Sequence, residues 1–227
     1  MSTSAAGIAG ATDLCFWKTT NGKKAVMAVT GVVLAGFIVG HLLGNLQIFI
    51  GRDTFNGYAE GLKKLHVLLW GTRAALLVSV ALHIWSTIQL AARRSSARPV
   101  AYQKYTAQTS SYASRTMYMS GPIVAAFIVY HLLHFTIGVG GTPYDAGDPY
   151  GNVVAGFKVI PVALAYVIAM GLLCLHLRHG LASFLQTLGV NHPAYTPKIK
   201  LAASLIAGLI FLGFSSIPVA VMAGVVS

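Results

Sequence analysis

The chain has 227 residues, of which 56% are hydrophobic and only 9% charged, against roughly 25% charged in soluble domains, so a soluble globule is excluded. Its formal charge of +11 arises from 16 Lys and Arg against five Asp and Glu; in so apolar a chain, basic loops serve membrane insertion, and nucleic-acid binding is set aside. Cys15 and Cys174 are separated by most of the chain and offer neither a disulfide framework nor a CxxC metal pair.

The N-terminal stretch from Met1 to Asp13 is small and polar, without the charged start, apolar core and cleavage site of a signal peptide, so none is expected to be removed. A bilayer core of ~30 Å needs about 20 apolar residues in a helix, and five segments meet that length. They cover about 25–50, 66–92 with Arg73 as its one charge, 117–139, 157–188 and 201–226. The fourth is free of charge from Val159 to Leu177, and its helical periodicity runs on until Gly189 and Pro193 interrupt it. Between the third and fourth, residues 140–152 carry Gly141, Pro143, Gly147, Asp148, Pro149 and Gly151, which is turn chemistry. The expectation is an all-α integral membrane bundle of five transmembrane helices in a single domain over 1–227, with no internal repeat.

Basic loops are retained on the cytoplasmic side. With the N-terminus inside, Lys18, Lys23, Lys24, Arg93, Arg94, Arg98, Lys104, Arg115, Arg178, Lys198 and Lys200 are cytoplasmic, while Arg52, Lys63, Lys64 and Lys158 face outward. Eleven against four, with Arg73 in the membrane, predicts a cytoplasmic N-terminus and an outer C-terminus.

Five of the eight histidines, His41, His83, His131, His134 and His176, fall inside predicted spans; His66 and His179 lie near span ends and His192 in a loop. Ionisable residues inside a membrane are functional candidates by default. At 1.5 Å per residue, His41 lies ~24 Å and His131 ~21 Å from the inner ends of the first and third helices, both in the outer half. His83 is ~14 Å from the inner end of the second helix, and His176 is deep and inward on the fourth. One His from each of two parallel helices therefore stands at each of two levels, as two stacked b-type haems with paired imidazole ligands require. Histidines hydrogen-bonding across helices are the structural alternative. A proton relay usually recruits Asp or Glu, and no span contains either. Gly31, Gly36, Gly40 and Gly44 on the first helix permit close helix packing or room for a flat porphyrin.

The runs GHLLGNLQIF with DTFNGYA, LHIW, ARPVAY, ASRTMYMSG, YHLLHF and HLRHGLASFLQTLGVNHPAY occur in an order and spacing that resembles the cytochrome b558 family of succinate dehydrogenases and fumarate reductases. That is the form with one large anchor subunit, five helices and two haems b, and the resemblance spans essentially the whole length. It implies axial ligands at His41, His83, His131 and His176, paired His41 with His131 for the outer haem and His83 with His176 for the inner one. Spacing alone does not choose His131 over His134 or His176 over His179, which share their helix faces; the resemblance does. It further implies flavoprotein and iron-sulfur partner subunits, a membrane quinone as substrate and residence in the bacterial cytoplasmic membrane, with a higher oligomer of the complex left open. The chain contains no nucleotide-binding glycine fingerprint or cysteine cluster for succinate oxidation, which falls to the partners.

Arg73 reads as a propionate partner of the outer haem, or as a side chain snorkelling to the outer interface. Arg115, where the third helix enters, reads as a partner of an inner-haem propionate or of the iron-sulfur subunit, or as ordinary positive-inside bias. The expected activity is electron passage from the iron-sulfur subunit through the two haems to a quinone near the outer face. Electrons moving that way gain ~2.3 kcal/mol each per 100 mV, which suits a low-potential acceptor such as menaquinone. Quinol oxidation driving fumarate reduction uses the same parts. A haem-binding anchor without its own quinone site and a small-molecule transporter are the other classes, the last disfavoured by the odd number of uninterrupted spans.

Overall fold

The computed structural model describes residues 16–97 and 115–227. The segment Met1 to Asp13, Cys15, Arg98, Lys104 and most of the ARPVAY run lie outside the described residues. Among the described residues every regular element is helical: α1 Thr20–Leu46, α2 Arg52–Lys64, α3 His66–Ser96, α4 Met117–Leu132, α5 Pro149–Lys158, α6 Ile160–Thr187 and α7 Thr196–Met222. Helix α1 runs on into a 3-10 turn at Gln47–Phe49, and α4 into a π turn at Leu133–Ile137. Five helices, α1, α3, α4 with its π turn, α6 and α7, are long and apolar enough to cross a membrane. Side chains such as Val67, Leu77, Ile168 and Leu209 stay exposed on their flanks, a surface that water would not tolerate and lipid would.

Successive spans run in opposite directions, giving the bundle two chemically distinct ends. The starts of α1, α4 and α7 and the ends of α3 and α6 form one, here the basic end, where Arg93 donates to the Thr20 hydroxyl (2.9 Å) and to the Lys18 carbonyl. Helices α2 and α5 pack on each other across the opposite, or capped, end. In the middle, α6 packs against α7 and α4, and α1 packs against α3, α6 and α7. Leu42, Cys174, Leu177, Ala207 and Ile210 bury the α1, α6 and α7 junction.

The capped end departs from the sequence expectation in two ways. Residues between the first two spans form a helix, α2, whose Phe55 is buried and whose Tyr58 ring occupies the space beside Gly44. A Cβ at Gly44 would lie 2.8 Å from that ring, so this glycine serves helix packing. The predicted turn-rich loop 140–152 instead ends at Asp148, which caps α5 by accepting the Gly151 N–H at 3.1 Å, with Pro149 in the first turn where its missing donor costs nothing.

The expected fourth span also begins later than 157. Val159 is extended (φ −83°, ψ 99°) and separates α5 from α6. Pro161 has no N–H to give the Phe157 carbonyl, so a continuous helix would lose a bond there. The fifth span begins earlier, at Thr196 with Pro197 in its first turn, because Lys198 and Lys200 shorten the apolar stretch without breaking the helix.

The cap is held by polar contacts. Arg52 pairs with Asp148 at 2.5 Å, Asn56 donates to Asp148 at 2.8 Å and accepts from the Tyr150 N–H at 2.9 Å, and Lys63 donates to the Ala146 carbonyl at 2.6 Å. The Asn56 hydrogen bond, followed by the Gly151 N–H and the Arg52 charge, holds the Asp148 carboxyl below the usual carboxylate range.

Candidate functional site: two imidazole pairs between helices

The fold brings together His41 of α1 and His131 of α4, with ring centroids 5.8 Å apart. It likewise brings together His83 of α3 and His176 of α6, at 6.2 Å. The first pair stands towards the capped end and the second towards the basic end. A metal bonded at about 2.0 Å to one nitrogen of each of two imidazoles would separate the ring centres by roughly 6 Å. Among the described residues no three His, Cys, Asp or Glu converge, so the protein offers two donors per level, the number an iron needs once a porphyrin supplies the other four.

The rings differ in how their neighbours hold them. His83 Nδ1 lies 3.1 Å from the Met27 carbonyl and 3.2 Å from the Thr30 hydroxyl. That hydroxyl spends its own proton on the Val26 carbonyl (2.7 Å). Both partners therefore accept, His83 carries its proton on Nδ1, and Nε2 keeps its lone pair. The ring rests against Gly31, where a Cβ would stand 3.4 Å from Cε1. Across the bundle, His176 Nδ1 is buried without a hydrogen-bond partner, as is the hydroxyl of Ser86, three residues from His83. Buried polar atoms ordinarily have partners. At the other level His41 stacks on Phe37 at 5.3 Å, and Asn45 donates to the His41 carbonyl at 2.7 Å.

His134 is different from its neighbour His131. It is 2% exposed, with Tyr166 Oη 3.0 Å from Nδ1 and Thr142 Oγ1 3.3 Å from Nε2. Its ring stacks on Phe135 at 4.1 Å. The slot has no spare room, since a Cβ at Gly140 or Gly156 would approach the ring to 2.4 Å or 2.9 Å. Both nitrogens are engaged, so His134 packs the bundle. Tyr166 Oη also lies 3.5 Å from His131 Nδ1. One consistent proton assignment runs His131 Nδ1–H to Tyr166, Tyr166 O–H to His134 Nδ1, and His134 Nε2–H to Thr142. That assignment leaves the lone pair of His131 on Nε2.

The remaining sequence candidates are placed less centrally. The Arg73 guanidinium lies 4.9 Å over the ring of Trp70 on its own helix, and its side chain is exposed. Arg115 is exposed at the basic end, two residues before the start of α4. His179 is half-buried one turn beyond His176, while His66 and His192 are exposed. Gly36 and Gly40 meet no atom within 4 Å of an added Cβ, so they serve no close helix contact. Sequence reasoning did not single out Met27, Thr30, Tyr166 or Thr142. Each acts from another element, so no local spacing flags it.

Five apolar spans define a multi-pass membrane protein, and imidazoles from different helices are paired inside its bundle at two levels. The transmembrane subunit of succinate dehydrogenase/fumarate reductase is the family whose model matches residues 92–212, more than half of the chain, and the chain belongs to that family. It is therefore a membrane subunit of such a complex, in a family that generally binds haem b and associates with the other subunits of the enzyme. No curated protein and no solved structure matches the chain.

Proposed function

We propose that the chain holds two haem b groups, ligated by His41 with His131 and by His83 with His176, and conveys electrons from an iron-sulfur subunit to menaquinone during succinate oxidation. The observation that carries this reading is the approach of the two imidazole pairs to 5.8 Å and 6.2 Å across helices far apart in sequence. The partnerless Nδ1 of His176 and the donor chemistry of the four rings fit the group. Haem held by these histidines would supply one-electron transfer.

The chain's own residues have definable tasks. The Met27 carbonyl and Thr30 fix the His83 ring and its tautomer, and Tyr166 does so for His131, so each keeps its lone pair on Nε2. Two protein donors to each iron would favour outer-sphere electron exchange. Arg73 and Arg115 are proposed to pair with propionates at the capped and basic ends respectively, which requires Arg73 to leave the Trp70 ring. The basic end is assigned to the cytoplasm of a bacterial inner membrane, where the flavoprotein and iron-sulfur subunits dock, and the capped end to the outer face.

The test is a reduced-minus-oxidised spectrum with haem quantification on the purified complex. Two b haems per chain are expected, one being lost when any of His41, His83, His131 or His176 is changed to Ala. Both absorption bands surviving in assembled His83→Ala or His176→Ala complex would overturn the inner site.

A further inference from the structure

Lys23 is a buried cation with no counter-charge among the described residues. The residue is 6% exposed, and its side chain lies against α3. Nζ donates to the Gln89 side-chain carbonyl at 2.8 Å and lies 5.7 Å over the Trp85 ring, both neutral partners. The neighbouring Arg93 is a second cation, whose described bonds go to the Thr20 hydroxyl and the Lys18 carbonyl, again neutral. Both sit beside the first turn of α1, the positive end of its macrodipole. Of the five acidic residues, Asp53, Glu60, Asp145 and Asp148 belong to the capped end, and Asp13 lies outside the described residues.

Positive-inside bias explains a lysine at a helix end that reaches water, but it does not explain one tucked inward. A buried ammonium beside a guanidinium calls for an anion. Its position says which. Lys23 is one helical turn, about 6 Å, from Met27, whose carbonyl orients His83, and Gln89 is about 9 Å along α3 from His83 in the same direction. The cation thus stands just to the basic side of the His83/His176 pair, against the same α1/α3 seam.

We propose that Lys23, assisted by Arg93, binds a propionate carboxylate of the haem held by His83 and His176; this rests on the two-haem reading above. Arg115 then need not supply that contact, and the inner haem is held by α1 and α3 at its carboxylate edge as well as by its iron.

The test uses the assembled complex reconstituted with haem carrying carbon-13 at its propionate carboxyls. Infrared reduced-minus-oxidised spectra and potentiometric titration are recorded for wild type, Lys23→Gln, Lys23→Arg and Asp13→Asn. Lys23→Gln is expected to shift the labelled carboxylate band and to lower the midpoint potential of the haem that His83→Ala removes, leaving the other haem unchanged. Lys23→Arg, which keeps the charge, is expected to restore the potential while still moving the band; should Lys23→Gln fail to assemble, this band shift alone decides.

An unmoved labelled band in the assembled variants overturns the proposal. So does a shift confined to the haem lost in His41→Ala, or a potential shift in Asp13→Asn, which would place the carboxylate on the chain itself. Loss of the soluble subunits from Lys23→Gln with both potentials intact assigns the cation to that interface and also overturns it. A wild-type complex without haem sinks the underlying reading, whereas two haems with a silent Lys23 sink this inference alone.

Discussion

His134 shares one ring nitrogen with the Tyr166 hydroxyl and the other with the Thr142 hydroxyl, in a slot that Gly140 and Gly156 close, so it keeps no lone pair for a metal. The neighbouring His131 retains one, and Tyr166 stands between the two rings. Replacing His134 by Gln is expected to leave both haem bands in place, while His131→Ala removes one; visible spectroscopy of the purified complex decides. Tyr166→Phe deletes the hydroxyl that accepts from His131 Nδ1. A less basic ligand favours the reduced iron, so the midpoint potential of the outer haem is expected to rise with little change at the inner one, as potentiometric titration would show. At this scale the sequence displays which residues are unusual, because an imidazole in an apolar span stands out. It cannot separate His131 from His134 three positions away. That difference lies in Tyr166 on α6, Thr142 in the following loop, and the small volumes of Gly140 and Gly156, none of which local spacing reveals.

Among the elements, α2 and α5 show how weakly polar amphipathic helices announce themselves. Helix α2 contains Gly57 and Gly61, each costing about 1 kcal/mol relative to Ala. Its apolar residues Phe55, Tyr58 and Leu62 are too few for a span. Packing against α5 and the seat beside Gly44 supply what propensity lacks. Asp148 ties this cap together as the N-cap of α5 and the partner of Arg52 and Asn56. Asp148→Ala is expected to destabilise the cap by about 1 kcal/mol from the lost helix cap alone, seen as faster amide exchange in α5 with the membrane spans unaffected. Because its folded pKa lies below the ordinary value, the stabilisation by Asp148 is complete above the unfolded pKa. It disappears as pH falls through the lowered folded value. Wild-type α5 should therefore keep its slow exchange, after correction for intrinsic rates, until the medium is more acidic than the usual carboxylate range. Exchange in Asp148→Ala should lack that transition. The five spans themselves were legible because each satisfies a length and hydropathy requirement without help from neighbours, whereas the break at Val159 turns on the one donor that Pro161 lacks.

For the molecule as a whole, the proposed route runs along the membrane normal, so the membrane potential must act on it. With the basic end inside, an uncoupler is expected to suppress succinate oxidation by intact cells and to leave detergent-solubilised enzyme unaffected. Equal sensitivity of the two preparations would contradict transmembrane electron flow. Helix direction and rise per residue make two levels of histidine readable, but not which of His131 and His134, or of His176 and His179, meets the facing ring; the ring approaches of His41 to His131 and His83 to His176 come from the fold. The buried setting of Lys23 is not readable either, because a lysine near a helix start looks in sequence like any other positive-inside charge. The approach of His41 to His131 and of His83 to His176 also bears on the order of biogenesis. As the chain leaves the ribosome, His41 meets its mate when the third span enters the lipid, while His83 must wait for the fourth. The two imidazole pairs thus form in sequence, and the one nearer the basic end is completed last.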